Sequence, residues 1–292
     1  MMQFLNTLLS GVSSGLVYGL IALAVVLVWR SSRAVNFAQA GQAMLSAFTA
    51  LSVVDSTGNW LLAVLSGAFV GVLVGSLSYL LVRQALRTQG TTGALISSLG
   101  LLAMFQATAA MIWGGDIRFF PAPVSTDGLR IGDVVLLFSA YDALVLIVSL
   151  LLVGALTWFM QRTRVGLAMR AAAFNEEVAR ISGVRVSRML VLGWAIAGGL
   201  GGVAGILIAP LSFLSPNSFD IVIVFAFTAA VVGGLDSPVG AMVGGITTGL
   251  LLALVSTYSQ AADAPIVALI VLVLTLLFRP SGLFGTRKAR SV

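Results

Sequence analysis

The chain has no cysteine, no histidine and a single lysine, Lys288, and only 9% of its 292 residues are charged. Without cysteine there is no disulfide framework and no thiolate nucleophile. Without histidine the commonest metal ligand and the usual near-neutral general base are gone as well. The one lysine lies in the tail, so a GxxxxGK[ST] phosphate-binding loop cannot occur. Paired catalytic carboxylates, a nucleophile beside a base and clusters with metal-ligand spacing are also missing, so the chain is expected to be no enzyme and to bind no metal or cofactor itself. Ordinary soluble domains carry about 25% charged residues; a chain at 9% cannot cover itself with water-facing groups.

What fills the sequence instead is apolar: 59% hydrophobic residues and a mean hydropathy of +1.08. A helix rises about 1.5 Å per residue and the hydrocarbon core is about 30 Å thick, so runs of roughly 20 apolar residues mark spans. Nine such runs stand out: Leu8–Trp29, Val35–Val54, Trp60–Val82, Gly93–Ile112, Ala143–Met160, Met189–Ala209, Ile221–Gly234, Val239–Thr257 and Pro265–Phe278. The seventh is short, which leaves eight spans open and a re-entrant segment as the alternative. The expectation is an all-α polytopic membrane protein with 8–9 transmembrane helices, folded as a single transmembrane domain over 1–292 and in contact with membrane lipid. The first run has no basic residue before it and reads as a retained helix, not a cleavable signal.

Placing the loops alternately on two sides puts fourteen of the 16 basic residues on one side, with Arg118 and Arg130 alone on the other. The positive-inside rule then sets the N-terminus outside and the C-terminus in the cytoplasm. Trp29, Trp60, Trp113, Trp158 and Trp194 fall near the ends of the runs, as indoles at the headgroup level would. The basic charge is spread over short loops and is not gathered with aromatics into a groove, so nucleic acid is not an expected partner.

Two loops exceed connector length. The extracytoplasmic one, 113–142, holds Pro121, Pro123, Gly128 and Gly132, and reads equally as a docking surface or a cap. The cytoplasmic one, 161–188, contains RAAAFNEEVARISG from Arg170 to Gly183. That stretch is expected to form one short amphipathic helix: Phe174, Val178 and Ile181 share a face, Glu176 precedes Arg180 at i, i+4, and Gly183 suits a stop. From periodicity alone it is either an interfacial helix on lipid headgroups or a docking element for a cytoplasmic protein.

Within the spans, small and neutral polar residues carry the remaining signal. The 32 glycines include small-xxx-small pairs such as Gly198/Gly202 and Gly240/Gly244, which let helices approach closely in lipid. Gly233, Gly234, Pro238 and Gly240 add turn formers between two apolar runs, so packing and a hinge are both readings of that segment, with Gly244 on the packing side. Asn36, Gln39, Gln42 and Ser46 form a polar stripe, either glue between helices or the lining of a translocation path. The absence of a clear mid-span charge argues against proton coupling and leaves sodium coupling through carbonyls and amides open.

Four stretches together resemble one family. GLVYGLIALAVVLVWRSSRAVNF (Gly15–Phe37), the loop Gly166–Gly183, GGLDSPVGAMVGG (Gly233–Gly245) and RPSGLFG (Arg279–Gly285) are similar, in this order, to the inner-membrane permease subunits of branched-chain amino acid ABC importers of the LivH/LivM type. Relatives of that type also carry urea or short amides. The resemblance implies alternating access in a bacterial inner-membrane importer, with a second, homologous permease as a heterodimer partner, two cytoplasmic ATP-binding subunits that hold ATP and Mg, and an extracytoplasmic substrate-binding protein. It also implies that Glu177, Ala179 and Gly183 are a degenerate E-x-A-x-x-x-G coupling motif, with Arg170 and Phe174 in the same docking element. Where relatives often place His and Glu after Asn-Phe-Ala, this chain has Gln39, Ala40, Gly41 and Gln42.

Overall fold

The computed structural model describes residues 2–131 and 134–285. In chain order its elements are α1 (Met2–Ser32), α2 (Gln39–Thr57), α3 (Trp60–Trp113), β1 (Gly128–Ile131), β2 (Val134–Ser139), α4 (Ala140–Arg162), α5 (Arg164–Phe174), α6 (Glu176–Ile181), α7 (Val186–Ile208), α8 (Asp220–Gly233), α9 (Pro238–Tyr258) and α10 (Ala264–Phe278). Among the described residues six helices are long and apolar enough to cross a membrane, and the chain is an all-α polytopic membrane protein apart from one antiparallel hairpin among those residues, β1–β2. That hairpin, in the loop 113–142, was not expected: its strands are too short for an alternating pattern to stand out among turn formers. Gly132 and Asp133 of that loop, and Arg287, Lys288 and Arg290 of the tail, lie outside the described residues.

The chain forms two compact units, one drawn from Met1–Val26, Val124–Leu146 and Ile221–Val292, the other from Leu27–Pro123 and Ile147–Asp220. In the second, α2, α3 and α7 form the core. α3 covers 54 residues but is two helical lengths joined at a non-helical Gly90 (φ 66, ψ −151). Its two lengths run in opposite directions along α2. In the first, Ser78 meets Gln42 near the start of α2 and Gly67 meets Ala50 near its end. In the second, Ser98 bonds the Phe37 amide just before α2, and Trp113 stacks on Phe48 at 5.2 Å and donates to Ser52. The chain therefore doubles back at Gly90, whose positive φ is open to glycine at little cost. Trp60–Val82 and Gly93–Ile112 are both helical, as expected, but the polar segment between them, with Arg83 and Arg87, is largely helix and not loop.

What brings α3 against α7 is the loss of side chains on both. Gly71 faces the carbonyl of Gly198, and Gly198 faces that of Gly71; a Cβ on either would collide with the opposing backbone. Gly75 meets the Trp194 carbonyl in the same way, and Gly205 meets Ala43 of α2. Hydrocarbon gives no hydrophobic push between helices, so contact of this closeness has to come from van der Waals packing over small residues. Trp194 lies within this seam at 1% exposure, tilted against Tyr79 at 5.8 Å and donating from Nε1 to Ser32 Oγ at 3.2 Å. It is a core residue and not the headgroup anchor its position suggested.

The first unit repeats the device. Gly11, Gly15 and Gly19 of α1 pack in antiparallel order on Leu250, Gly245/Ile246 and Met242 of α9. α8 and α9 form a tight hairpin in which Gly233 abuts Gly240 and Ala229 abuts Gly244. Ser237 caps α9 by accepting from the Gly240 amide at 2.9 Å, with Pro238 at the helix start where its missing N–H costs nothing. α4 begins with a reciprocal cap: Asp142 Oδ2 accepts from the Ser139 amide at 2.7 Å, and the Asp142 amide donates to Ser139 Oγ at 3.1 Å. Asp142 also accepts from Ser13 of α1.

The α3–α7 seam makes a direct prediction. Gly198→Ala should lower the stability of the detergent-extracted protein by about 1–3 kcal/mol, the usual cost of overpacking. Gly100→Ala, a helical position with nothing within 4 Å of the added carbon, should leave the thermal midpoint unchanged or raise it. The comparison is read by thermal unfolding of the two variants beside the parent.

Candidate functional site

Two groups of residues carry the functional expectations, and both lie in the unit built on α2, α3 and α7. The first is the polar stripe. Asn36 precedes α2 and Gln39 opens it; both, with Gln42 and Ser46, are buried to 1% exposure or less. Gln39 Nε2 donates to the Ala197 carbonyl of α7 at 3.1 Å, Gln42 Nε2 donates to Ser78 Oγ of α3 at 2.8 Å, and Ser46 Oγ donates to the Gln42 carbonyl at 2.9 Å. Asn36 Nδ2 makes a long 3.5 Å contact to Gln39 Oε1. The stripe thus joins α2 to both neighbours. Asn36 Oδ1 and Gln42 Oε1 are buried with no hydrogen-bond partner, and an orphaned polar atom of this kind costs about 1–3 kcal/mol.

Room for these amides is made by glycine. A Cβ on Gly201 would come within 1.9 Å of Gln39 Nε2, and one on Gly202 within 2.6 Å of Ser46 Oγ. The GG pairs of α7 therefore do two jobs: they admit α3 on one side and amide side chains of α2 on another. That second role was not legible in the sequence, since the small-xxx-small spacing reports close approach without naming what approaches.

The second group lies in the connection from α4 to α7. Thr163 stops α4 and starts α5, donating to the Phe159 carbonyl at 2.7 Å and accepting from the Gly166 amide at 2.9 Å. The single helix expected over Arg170–Gly183 is two. Asn175, extended at φ −154 and ψ 111, ends α5 and caps α6, its Oδ1 accepting from the amides of Glu177 at 3.0 Å and Val178 at 3.1 Å. Asparagine is a favoured cap because its side chain satisfies amides that a helix start leaves free. α6 closes at Gly183, which sits at φ 83, with the Gly183 amide on the Arg180 carbonyl at 3.0 Å and the Val184 amide on the Ala179 carbonyl at 2.9 Å.

This local geometry fixes the expected coupling residues differently from one another. Ala179 is buried at 2%, whereas Arg170 and Glu177 are exposed. Phe174, Val178 and Ile181 are 91%, 57% and 82% exposed, an apolar face with nothing on it. The glycine segment is also brought to an unexpected neighbour. Leu283 and Phe284 donate their amides to the carbonyls of Val232 and Gly233 at 2.8 and 3.0 Å, and Gly234 (φ 105) packs on Ser281. The Arg279–Gly285 stretch and the Gly233–Gly240 stretch, remote in sequence, form one cluster.

The pattern of these segments has a match among known proteins. A family described as the permease component of the branched-chain amino acid transport system matches residues 7–279. The chain belongs to this family. It is 29% identical to the high-affinity branched-chain amino acid transport system permease protein LivH of Escherichia coli (strain K12), over 100% of this chain and 98% of that one. It is 28% identical to a probable LivH of Methanocaldococcus jannaschii, over 91% and 88% of the two chains. A ribose import permease, RbsC of E. coli (strain K12), is 25% identical over 78% of this chain and 73% of its own. As a permease component the chain is a translocating subunit and not an enzyme, and the capped α5–α6 element and the glycine seams are parts of a permease.

If the Gln39 amide is held in place by the space at Gly201, the two positions must be coupled. Gly201→Ala alone should lower the thermal midpoint by several degrees, and the same substitution in a Gln39→Ala background should cost much less. Thermal unfolding of the four proteins of this cycle measures the coupling.

Proposed function

We propose that this chain is one of two permease subunits in an ATP-driven importer of branched-chain or related amino acids in a bacterial inner membrane. A second, homologous permease, two ATP-binding subunits that carry ATP and Mg, and an extracytoplasmic substrate-binding protein complete the machine. Substrate crosses by alternating access as the ATP-binding subunits close and open. The observation that carries this reading is the α5–α6 element: a rigidly capped turn that presents Phe174, Val178 and Ile181 with no cover. Soluble segments do not normally leave such a face in water, and a docked subunit would bury it. A stand-alone carrier would have no use for it.

We take the chain to cross the membrane nine times, N-terminus outside and C-terminus in the cytoplasm, with α3 counted as two passes. Supporting this, residues assigned to one side contact each other within each unit: Arg118 pairs with Leu214 and Asn6 with Leu137 outside, while Leu283 pairs with Val232 inside. α8, at about 21 Å, is the shortest pass. Force enters through α6, where Ala179 packs, Gly183 sets the stop and Glu177 and Arg170 face the partner. Gly233, Gly234, Pro238, Gly240 and Gly244 hold the α8–α9 hairpin closed. Asn36, Gln39 and Gln42 are placed beside the path, with the two orphaned amide oxygens as its polar contacts when the helices part. The branched-chain amino acid assignment is drawn from LivH-type relatives; the ribose permease among the matches marks how far cargo varies on related chains, and urea or short amides are the second candidates.

Gentle extraction of the tagged chain followed by mass spectrometry should recover ATP-binding subunits and a second permease in fixed ratio. Val178→Asp and Ile181→Asp, both at exposed positions, should leave the chain folded while abolishing ATP-binding subunit recovery and leucine uptake. Recovery of a homo-oligomer without ATP-binding subunits, or full uptake by both variants, would sink the importer reading.

A further inference from the structure

Beside the α5–α6 element lies a cavity of about 1040 Å³ that none of the functions above uses. Arg83, Arg87, Arg180, Arg185 and Arg188 line it, and Glu176 is the one carboxylate among its lining residues. Five guanidinium groups around one carboxylate leave an excess of positive charge in which the groups repel each other. A bound anion would relieve that repulsion. Guanidinium groups pair with phosphate oxygens through two parallel N–H donors, which makes a phosphoryl group the best-matched anion.

The place of the cavity in the fold narrows the source of that phosphoryl group. Its walls come from the last residue of α1, Ser32, the polar stretch of α3 after Tyr79, and the first turn of α7. These are the points at which three helices leave their apolar runs, so the cavity opens at the depth of lipid headgroups. The back wall is rigid, because Tyr79 is 3% exposed and packed on Trp194. Leu86 and Leu190 add an apolar side along which an acyl chain can run.

α6 stands between this cavity and the uncovered apolar face. Glu176, Arg180 and Gly183 turn toward the cavity at i, i+4 and i+7, while Phe174, Val178 and Ile181 do not line it. Within α6, Val178 is two residues from both Glu176 and Arg180, about 160° around the helix from each, which places it on the side away from them. We propose that the cavity binds the phosphate headgroup of an anionic phospholipid, and that the bound lipid ties Arg180 of α6 to Arg83 and Arg87 of α3. A lipid there would hold the apolar face at a fixed height above the membrane. The binding stands without the importer reading; only its effect on docking rests on that reading.

The test uses the purified full chain in neutral detergent, with dioctanoyl-phosphatidylglycerol, dioctanoyl-phosphatidylcholine and inorganic phosphate as separate probes, followed by thermal shift and native mass spectrometry. Phosphatidylglycerol should raise the midpoint saturably where phosphatidylcholine and phosphate do not. An Arg83→Gln/Arg87→Gln/Arg185→Gln variant should bind it at least tenfold more weakly, and the matching Lys variant should fall between, since it keeps charge and loses the fork. Glu176→Gln, which removes the repelling carboxylate, should bind several-fold more tightly, a change of opposite sign that no general loss of folding can mimic. Equal shifts with the two lipids, or unchanged binding in the Gln and Glu176→Gln variants, would overturn the site. Phosphate binding as tightly as phosphatidylglycerol would overturn the lipid source. Loss of the ATP-binding subunits from the Gln variant in nanodiscs free of anionic lipid would instead make the cavity part of a protein interface and overturn the proposal.

Discussion

In water, two helices are driven together by the apolar surface they hide; in hydrocarbon that drive is absent, and helices associate only where their backbones can come close enough for dispersion and hydrogen bonds to act. This chain meets that constraint by withholding side chains at the crossing points. Gly71 and Gly198 face each other carbonyl to Cα, as do Gly15 with Gly245 and Gly233 with Gly240. Both units rest on such seams. The outward faces obey no comparable restriction, and α10 leaves Ile266, Leu269, Ile270, Val273, Leu274 and Leu277 exposed, as a lipid-facing or partner-facing helix can.

Close packing also sets where polar groups can go. The amides of Gln39 and Gln42 sit in space vacated by Gly201 and by the short Ser78, and each finds a donor–acceptor match on a neighbouring helix. A buried amide that reaches a carbonyl 158 residues away orients α2 against α7 in a way dispersion alone does not. The same arrangement leaves two acceptor oxygens without donors.

The connection between α4 and α7 works by the opposite rule. It is held by caps, with Thr163, Asn175 and Gly183 each fixing one turn. Local hydrogen bonds hold the element in shape without a core of its own. Arg83, Arg87, Arg185 and Arg188 were read in the sequence as markers of sidedness, and Arg180 as the i+4 partner of Glu176. The fold places all five around one cavity.

Composition and the length of apolar runs were enough to define a polytopic helical membrane protein, because burial in lipid forces every backbone group into helices and makes the runs long and unambiguous. The ordered motifs were enough for the family. The expected run Val239–Thr257 also lies within one residue of α9, Pro238–Tyr258, at each end. Other features needed the tertiary structure: the reversal at Gly90, the division of Arg170–Gly183 at Asn175, the burial of Trp194, the hairpin in 113–142, and the meeting of Arg279–Gly285 with Gly233–Gly240. Each depends on a contact between residues far apart in the chain or on a choice between two locally acceptable conformations. Asn175 could have continued a helix or capped one, and Trp194 could have faced headgroups or core. Sequence spacing supplies the options at such positions, and the free energy of packing against a distant partner selects among them.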